Sequence, residues 1–277
     1  MKLVSFQHEG KTSYGAVAGD RLVDLGGRYP TLQAAIEGGA LAVLAAGDGA
    51  AGPTLAEIEF LPVVARPEKI ICVGVNYHDH RIETGRTESE YPVLFTRFAN
   101  TLAGHGRAII RPRASTQLDY EGELAVVIGR RARHIKPADA LSYVAGYSCF
   151  NDATLRDWQR HTHQFTPGKN FPATGALGPW LVTADEIPDP SQLTLVTRLN
   201  GEEMQRTTTR EMIFDIPTLV AYISTFTELV PGDVIATGTP GGVGAKRTPP
   251  VWMKAGDEIE VEISGVGILR NRVADEN

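Results

Sequence analysis

Apolar residues along this chain fall in short blocks separated by Gly, Pro and Asp. The clearest pattern is at 258–263, where Ile259, Val261 and Ile263 alternate with Glu258, Glu260 and Glu262, the period-two signature of a half-exposed strand. Short strands are expected at 70–75, 93–96, 124–128, 143–151, 180–183, 193–199 and 234–237. Helical signals are few, at 79–83, 153–161 and 216–226. Many strands, few long helices and no βαβ alternation argue against a Rossmann or barrel-type α/β fold and for a mostly-β, α+β protein.

Residues 1–62 pattern as a small separate unit, an N-terminal α/β domain ahead of a main body at 63–277. Strands are expected at 3–6, 14–18 and 21–25, the last two joined by a Gly19-Asp20 turn. Pro30-Thr31 then opens a helix with Leu32, Ala35, Ile36, Leu41 and Leu44 as its apolar stripe. Gly38-Gly39 breaks or kinks that helix. Ala50-Ala51-Gly52-Pro53 reads as a connector, and Pro62 to Pro67 marks the crossing into the main body.

Within the main body, Leu118-Asp119-Tyr120-Glu121-Gly122-Glu123 runs straight into Leu-Ala-Val-Val-Ile-Gly. On a strand, Asp119, Glu121 and Glu123 share a face. A solvated acidic edge is the plain alternative, but it needs a strand wet at one end and deeply buried at the other. Burying like charges unpaired costs several kcal/mol, and a divalent cation removes that cost. A third carboxylate, Asp152, ends the next apolar strand, where it could equally cap a following helix. Three carboxylates without an adjacent Cys or His pair suit a hard ion, Mg²⁺ or Mn²⁺, with Ca²⁺ as a further option; zinc is disfavoured.

His80 and Glu83 are three apart in Asp79-His80-Arg81-Ile82-Glu83, so one helical turn brings them together. A carboxylate beside an imidazole orients it and raises its basicity, as a general base requires; a chance pair on a surface helix is the bland reading. The polar run 83–91 after it suits a mobile lid. His78 would point elsewhere, and His161 and His163 read as surface residues. Arg156, four after Asp152, falls near the same side. Lys169 is a cation in a Gly/Pro-punctuated loop. The glycine-rich stretch 237–244 has neither a P-loop ending nor a dinucleotide fingerprint; its amides could hold a carboxylate, or it is a plain tight turn.

The 277 residues, 42% apolar and 22% charged, are ordinary for a globular protein. A net charge of −6 argues against a nucleic-acid surface, and Arg130-Arg131-Ala132-Arg133 reads as a solvated turn. Cys72 and Cys149 lie in apolar segments and read as buried free thiols of a reducing compartment. The N-terminus turns polar by Gln7, unlike a signal peptide. No apolar run approaches about 18 residues, so no membrane span is expected and the cytoplasm is the expected location.

Taken in order, several motifs together resemble the fumarylacetoacetate hydrolase (FAH) family, especially its short bacterial members. They are Cys72-Val73-Gly74-Val75-Asn76-Tyr77 with His80 and Glu83; Asp119-Tyr120-Glu121-Gly122-Glu123; and Asn151-Asp152 with Arg156-Asp157 and Gln159. Gly168-Lys169, Gly178-Pro179-Trp180 and the stretch from Pro231-Gly232-Asp233 to Gly244 complete the set, which spans Lys69 to Val273. The resemblance implies a mixed β-roll catalytic domain behind a small N-terminal domain, assembled as a homodimer. It implies Glu121, Glu123 and Asp152 as metal ligands, His80 and Glu83 as the water-activating dyad, and Lys169 and Gln159 as oxyanion donors. Arg156, Thr239, Tyr77 and Gly238 match substrate-side positions. Arg97-Phe98 departs from the Lys-Pro that many relatives carry after the Leu-Phe strand.

The implied reaction is hydrolysis of a carbon–carbon bond in a 2,4-dioxo acid of the acylpyruvate type, giving pyruvate through a metal-bound enolate. Such a hydrolase acts on carbon–carbon bonds in ketonic substances, in the catabolism of an aromatic compound or a deoxysugar acid, and its partner is a small oxo acid. Oxaloacetate decarboxylation, or isomerisation or hydration of an oxo acid, is the alternative within the family. A non-catalytic ligand-binding module is disfavoured, because both the dyad and Lys169 are present.

Overall fold

A computed structural model describes residues 1–42, 44 and 49–277. Among these, the largest sheet has twelve strands and is mixed. From one edge it runs Ala50–Thr54, Arg21–Asp24, Lys11–Ala18, Lys2–His8, Gly175–Thr183, Val144–Asn151, Gly122–Ile128, Val234–Ala236, Ile70–Gly74 and Val93–Arg97. Glu59–Phe60 and Leu102–Ala103 pair off this path. Most neighbours are antiparallel, while Val234–Ala236 lies parallel to Ile70–Gly74. A second sheet of five strands orders Glu202–Thr208, Thr194–Leu199, Glu258–Ile263, Gly267–Asp275 and Ile109–Arg111.

Gly122–Ile128 is buried along its whole length, which explains its unbroken apolar run: both faces are covered. Leu124, Val126 and Ile128 face a core shared with Leu195, Val261 and Ile263 of the second sheet and Leu219 and Ile223 of the longest helix. Ala125 and Val127 face the other way, into a core with Leu3, Leu32, Ile36 and Leu177. Each Val or Leu so buried contributes about 1.5–3 kcal/mol. The long helix is Ile216–Phe226, where the sequence places it. Asp215 accepts the Thr218 N–H at 2.9 Å as its N-cap, and a proline stands in its first turn.

The first strand, Lys2–His8, pairs with Gly175–Thr183, so the N-terminal strands continue the large sheet. The helix expected after Pro30 forms as Leu32–Glu37, capped by Thr31, and stops at the Gly38-Gly39 pair. Leu41 and Leu44 pack beyond that break. Ala50-Ala51-Gly52-Pro53, expected as a connector, is instead part of the edge strand Ala50–Thr54, the place in a sheet that tolerates Pro. Three further strands of three residues or more were not legible as such: Ile109–Arg111, Glu202–Thr208 and Gly267–Asp275. The expected helix at 153–161 shrinks to Arg156–Gln159, because Thr154–Leu155 pairs with Leu118–Asp119. Among the described residues, no helix is long and apolar enough to cross a membrane.

Candidate active site

Antiparallel pairing of Gly122–Ile128 with Val144–Asn151 sets Gly122 opposite Asn151. The mouth of one strand thus meets the end of the other, and the ladder extends by one bond, Asp152 N–H to Glu121 O at 2.9 Å. Carboxylate oxygens of Glu121, Glu123 and Asp152 come within 4.8 Å of one another. Asp119 does not join them. The chain leaves strand geometry at Tyr120-Glu121, so the face expected to carry three acids carries two. Asp119 instead accepts the Arg156 Nε–H at 2.8 Å and the N–H groups of Gly244 and Ala245 at 2.8 and 3.0 Å. Asp152 is no helix cap, since the short helix that follows has Leu155 at its N-cap.

Three cations surround the acids. Lys169 Nζ lies 2.5 Å from both Glu121 Oε2 and Asp152 Oδ2. Arg156 lies 2.7 Å from Glu121 Oε1, and Arg97 lies 2.6 Å from Asp152 Oδ1. Burial works against ionisation of Glu121, but Arg156, Lys169 and His80 outweigh it and hold the carboxyl well below the usual range. Glu123 goes the other way. Among the described residues it has no cationic partner, only the Gly238 N–H at 2.9 Å. Burial, then the charges of Asp152 and Glu121, push its carboxyl far up. A buried acid beside two others, all hard oxygen donors, fits a divalent Mg²⁺, Mn²⁺ or Ca²⁺ ion. Glu121, Glu123 and Asp152 are the residues that would hold it.

Lys169, expected in a loop, ends the short helix Thr166–Lys169 and is 1% exposed. Burial disfavours its charge, yet Asp152 and Glu121 more than restore it. Gly168 before it is required by contact, because a Cβ there would stand 2.5 Å from the Gln159 backbone nitrogen. That approach seats Gln159 beside Lys169; its Oε1 accepts from Arg156 at 3.0 Å, leaving its amide N–H groups for a ligand.

The dyad forms as expected. Helix His78–Thr84 carries His80, whose Nδ1 lies 2.7 Å from Glu83 Oε1. The other Glu83 oxygen accepts the Gly242 N–H at 2.9 Å. Gly242 has φ +97°, and a Cβ there would meet the Met204 carbonyl oxygen at 2.3 Å. The glycine-rich stretch thus offers amides to three of the protein's own carboxylates: Glu123, Glu83 and Asp119. The helix is launched by Val75 at φ +54°, a strained conformation for a β-branched residue. Asn76 anchors the turn, donating to Thr237 O and Phe214 O at 2.8 and 3.0 Å.

All of this borders a cavity of about 550 Å³ whose wall includes His80, Glu121, Glu123, Arg156, Lys169 and Thr239. Gln159 also lines it, while Asp152 lies fully shielded behind. Thr239 donates to Gly122 O and accepts from Gln205, both at 2.9 Å. Gly238 spends its N–H on Glu123. Tyr77, expected on the substrate side, is fully buried in the core, with no hydrogen-bond partner for its hydroxyl among the described residues. His78, His161 and His163 are exposed, as expected, though His163 reaches the cavity mouth. Residue reading noted Arg97 only as a departure from the family pattern and missed its contact with Asp152, and it missed Phe95 in the cavity wall. Their alternation on the strand Val93–Arg97 was the available signal, since i and i+2 share a face.

A family model described as "Fumarylacetoacetate (FAA) hydrolase C-terminal" matches residues 69–274. The bovine protein named oxaloacetate tautomerase FAHD2A, mitochondrial, is 45% identical over 219 residues, covering 78% of this chain and 70% of that one. The solved fumarylacetoacetate hydrolase of Exiguobacterium antarcticum is similar over the full length of both chains, with a TM-score of 0.88 and 37% identity. The maleylpyruvate hydrolase of Sphingobium sp. SYK-6, solved in complex with manganese(II) ion and pyruvate, is similar over the full length of both chains, with a TM-score of 0.82 and 29% identity.

Proposed function

This chain belongs to the fumarylacetoacetate hydrolase family, and from that footing we propose that it is a divalent-metal-dependent hydrolase of 2,4-dioxo acids of the acylpyruvate type, releasing pyruvate and a carboxylic acid. The observation that carries this reading is the His80–Glu83 pair at 2.7 Å, with His80 in the wall that also contains Glu121 and Glu123.

With Nδ1 committed to Glu83, the His80 Nε2 is the ring nitrogen free to take a proton from water. Glu83 stabilises the resulting imidazolium and is itself held by the Gly242 N–H. The water oxygen bonds to C4, the C3–C4 bond breaks with its electron pair on the three-carbon fragment, and the imidazolium returns a proton to that fragment. Lys169 and the Gln159 amide are the donors for the oxyanion that develops at C4; such a donor is often worth ~3–4 kcal/mol. A bound divalent ion would supply Lewis-acid polarisation of the 2-oxo group.

A second reading is keto–enol tautomerisation of a short oxo diacid, favoured by the 45% identity to a protein named as an oxaloacetate tautomerase. His80 would then carry a proton between oxygen and carbon as the double bond moves between C=C and C=O, with no heavy-atom σ bond made or broken. The deciding experiment follows pyruvate release from a panel of acylpyruvates with Mn²⁺ or Mg²⁺, and the ultraviolet absorbance of enol oxaloacetate alongside. Chelator-sensitive pyruvate release supports hydrolysis. Enol decay accelerated without pyruvate release moves the function to tautomerisation.

A further inference from the structure

The strand Glu202–Thr208 lies at one edge of the five-stranded sheet, and most of its polar side chains face water. Gln205 does not: it is 2% exposed. It reaches out of its own sheet to Gly122, the residue between two acids of the large sheet. Its Oε1 accepts the Gly122 N–H at 3.0 Å, and its Nε2 donates to Thr239 Oγ1 and to Pro240 O, both at 2.9 Å. Thr239 in turn donates to Gly122 O at 2.9 Å. One pair of side chains therefore holds Gly122 at both its N–H and its C=O.

This clamp depends on an amide and on a glycine. An acceptor must face Gly122, and donors must face Thr239 and Pro240. The reversed amide would set Oε1 against Pro240 O and Nε2 against the Gly122 N–H, so one orientation serves. A carboxylate at position 205 would turn a lone pair to Pro240 O. An aliphatic side chain would leave the buried Gly122 N–H without its acceptor, which is unfavourable. At Gly122 a Cβ would stand 2.0 Å from Thr197 Oγ1. Thr197 lies directly opposite Gln205 in the second sheet, so a side chain on residue 122 would drive the two sheets apart.

What the clamp holds is the candidate metal site. The two peptide units that join Glu121 to Glu123 are the ones that carry the Gly122 N–H and the Gly122 C=O. Gly238, next to Thr239, donates its own N–H to Glu123 Oε2 at 2.9 Å. Thr239 borders the cavity, whereas Gln205 stands behind it. We propose that Gln205 is a positioning residue of the metal centre: by fixing both peptide units of Gly122 against the Thr239-Pro240 segment, it sets the spacing of the Glu121 and Glu123 carboxylates. This rests on the divalent-metal reading above and goes beyond it, because it assigns the geometry of the ligand pair to a side chain of the other sheet.

The test measures Mn²⁺ binding by calorimetry and the electron paramagnetic resonance spectrum of the bound ion. It compares the parent with Gln205→Met, Thr239→Val and their double variant, each with its thermal melt. Ile223→Val, in the buried face of the long helix, controls for lost stability alone. Gln205→Met is expected to weaken Mn²⁺ binding roughly 10–100-fold, as other groups that orient a metal ligand do, and to change the zero-field splitting of the spectrum. Thr239→Val should weaken binding less, and the double variant no more than Gln205→Met, because both break one clamp. Ile223→Val should melt lower yet keep the parent spectrum and an affinity within about twofold, as a distant site does. Parent-like affinity and spectrum in Gln205→Met overturn the positioning role and spare the metal-dependent reading. A loss of affinity in Ile223→Val equal to that in Gln205→Met reduces the effect to stability and also overturns the role. Should Gln205→Met not fold, Thr239→Val decides, and an unchanged affinity and spectrum there overturn the clamp. Failure of the parent to bind Mn²⁺ overturns both readings.

Discussion

Arg97 donates from Nη1 to Asp152 Oδ1 across 2.6 Å, with both side chains fully shielded from solvent. The same guanidinium donates to Ala153 O at 3.0 Å, Thr174 Oγ1 at 2.9 Å and Thr101 Oγ1 at 3.2 Å. Four partners in one plane suit the fixed guanidinium fork and not the single nitrogen of lysine. This chain's departure from the Lys-Pro of many relatives therefore sits directly behind a carboxylate of the candidate metal site. Arg97→Ala leaves the buried Asp152 Oδ1 without its cation, with Lys169 still on Oδ2, and should cost about 3 kcal/mol in urea denaturation. Mn²⁺ affinity should fall roughly 10–100-fold, as for other groups that orient a ligand. An unchanged midpoint together with unchanged affinity would contradict that role.

Glu123 is the acid with no ion-pair partner among the described residues; burial, then Asp152 and Glu121, outweigh the opposing charge of Lys169, so metal addition and removal of the ionisable group should act in the same direction on stability. Saturating Mn²⁺, at about 100 times its Kd, should stabilise the protein by about 2.7 kcal/mol and raise Tm by roughly 5 °C, reversibly with chelator. Glu123→Gln keeps an acceptor for the Gly238 N–H and removes an ionisable group whose charged form burial, Asp152 and Glu121 disfavour. The metal-free variant should therefore melt higher than the metal-free parent and gain nothing from Mn²⁺. A variant that melts lower without metal would show that Glu123 is compensated by other means.

The His80–Glu83 pair separates chemistry from binding. His80→Ala should lower kcat for acylpyruvate hydrolysis by ~10²–10⁴-fold while Mn²⁺ binding persists, because His80 belongs to no part of the carboxylate cluster. Glu83→Gln should cause a smaller loss. Oxaloacetate decarboxylation, which needs no activated water, should survive in His80→Ala; parallel loss of both activities would remove the case for water activation.

Cys72 and Cys149 are free and buried. Burial pushes the Cys149 thiol up to about 12, and Cys72 is also raised well above its ordinary value, by burial first. A thiol pKa raised by folding contributes stability that is complete below about pH 9 and declines as pH rises toward 12. Both thiols should resist iodoacetamide at pH 8 in the native protein and react together on unfolding. Rapid native labelling of either would contradict the packing around it.

Much of the candidate site was legible in the sequence. Glu121 and Glu123 announce themselves because acids leading into a fully apolar strand are costly unless paired, and His80 and Glu83 because helical spacing alone brings them into contact. Period-two alternation sufficed for Glu258–Ile263, and the helical signal at 216–226 matches the helix Ile216–Phe226. Local periodicity carries no information about partners distant in the chain. That Asp119 turns away to Arg156 and the Gly244 amide, and that Asp152 faces Glu121 instead of capping a helix, follows from strand register. The burial of Lys169 between two acids depends on where Gly168 lets its helix pack. Arg97 stood out in the sequence only as a departure from the Lys-Pro of many relatives, and nothing local placed it against Asp152. Charge is a property of the residue, whereas pairing is a property of the space around it, and long-range packing alone sets that space.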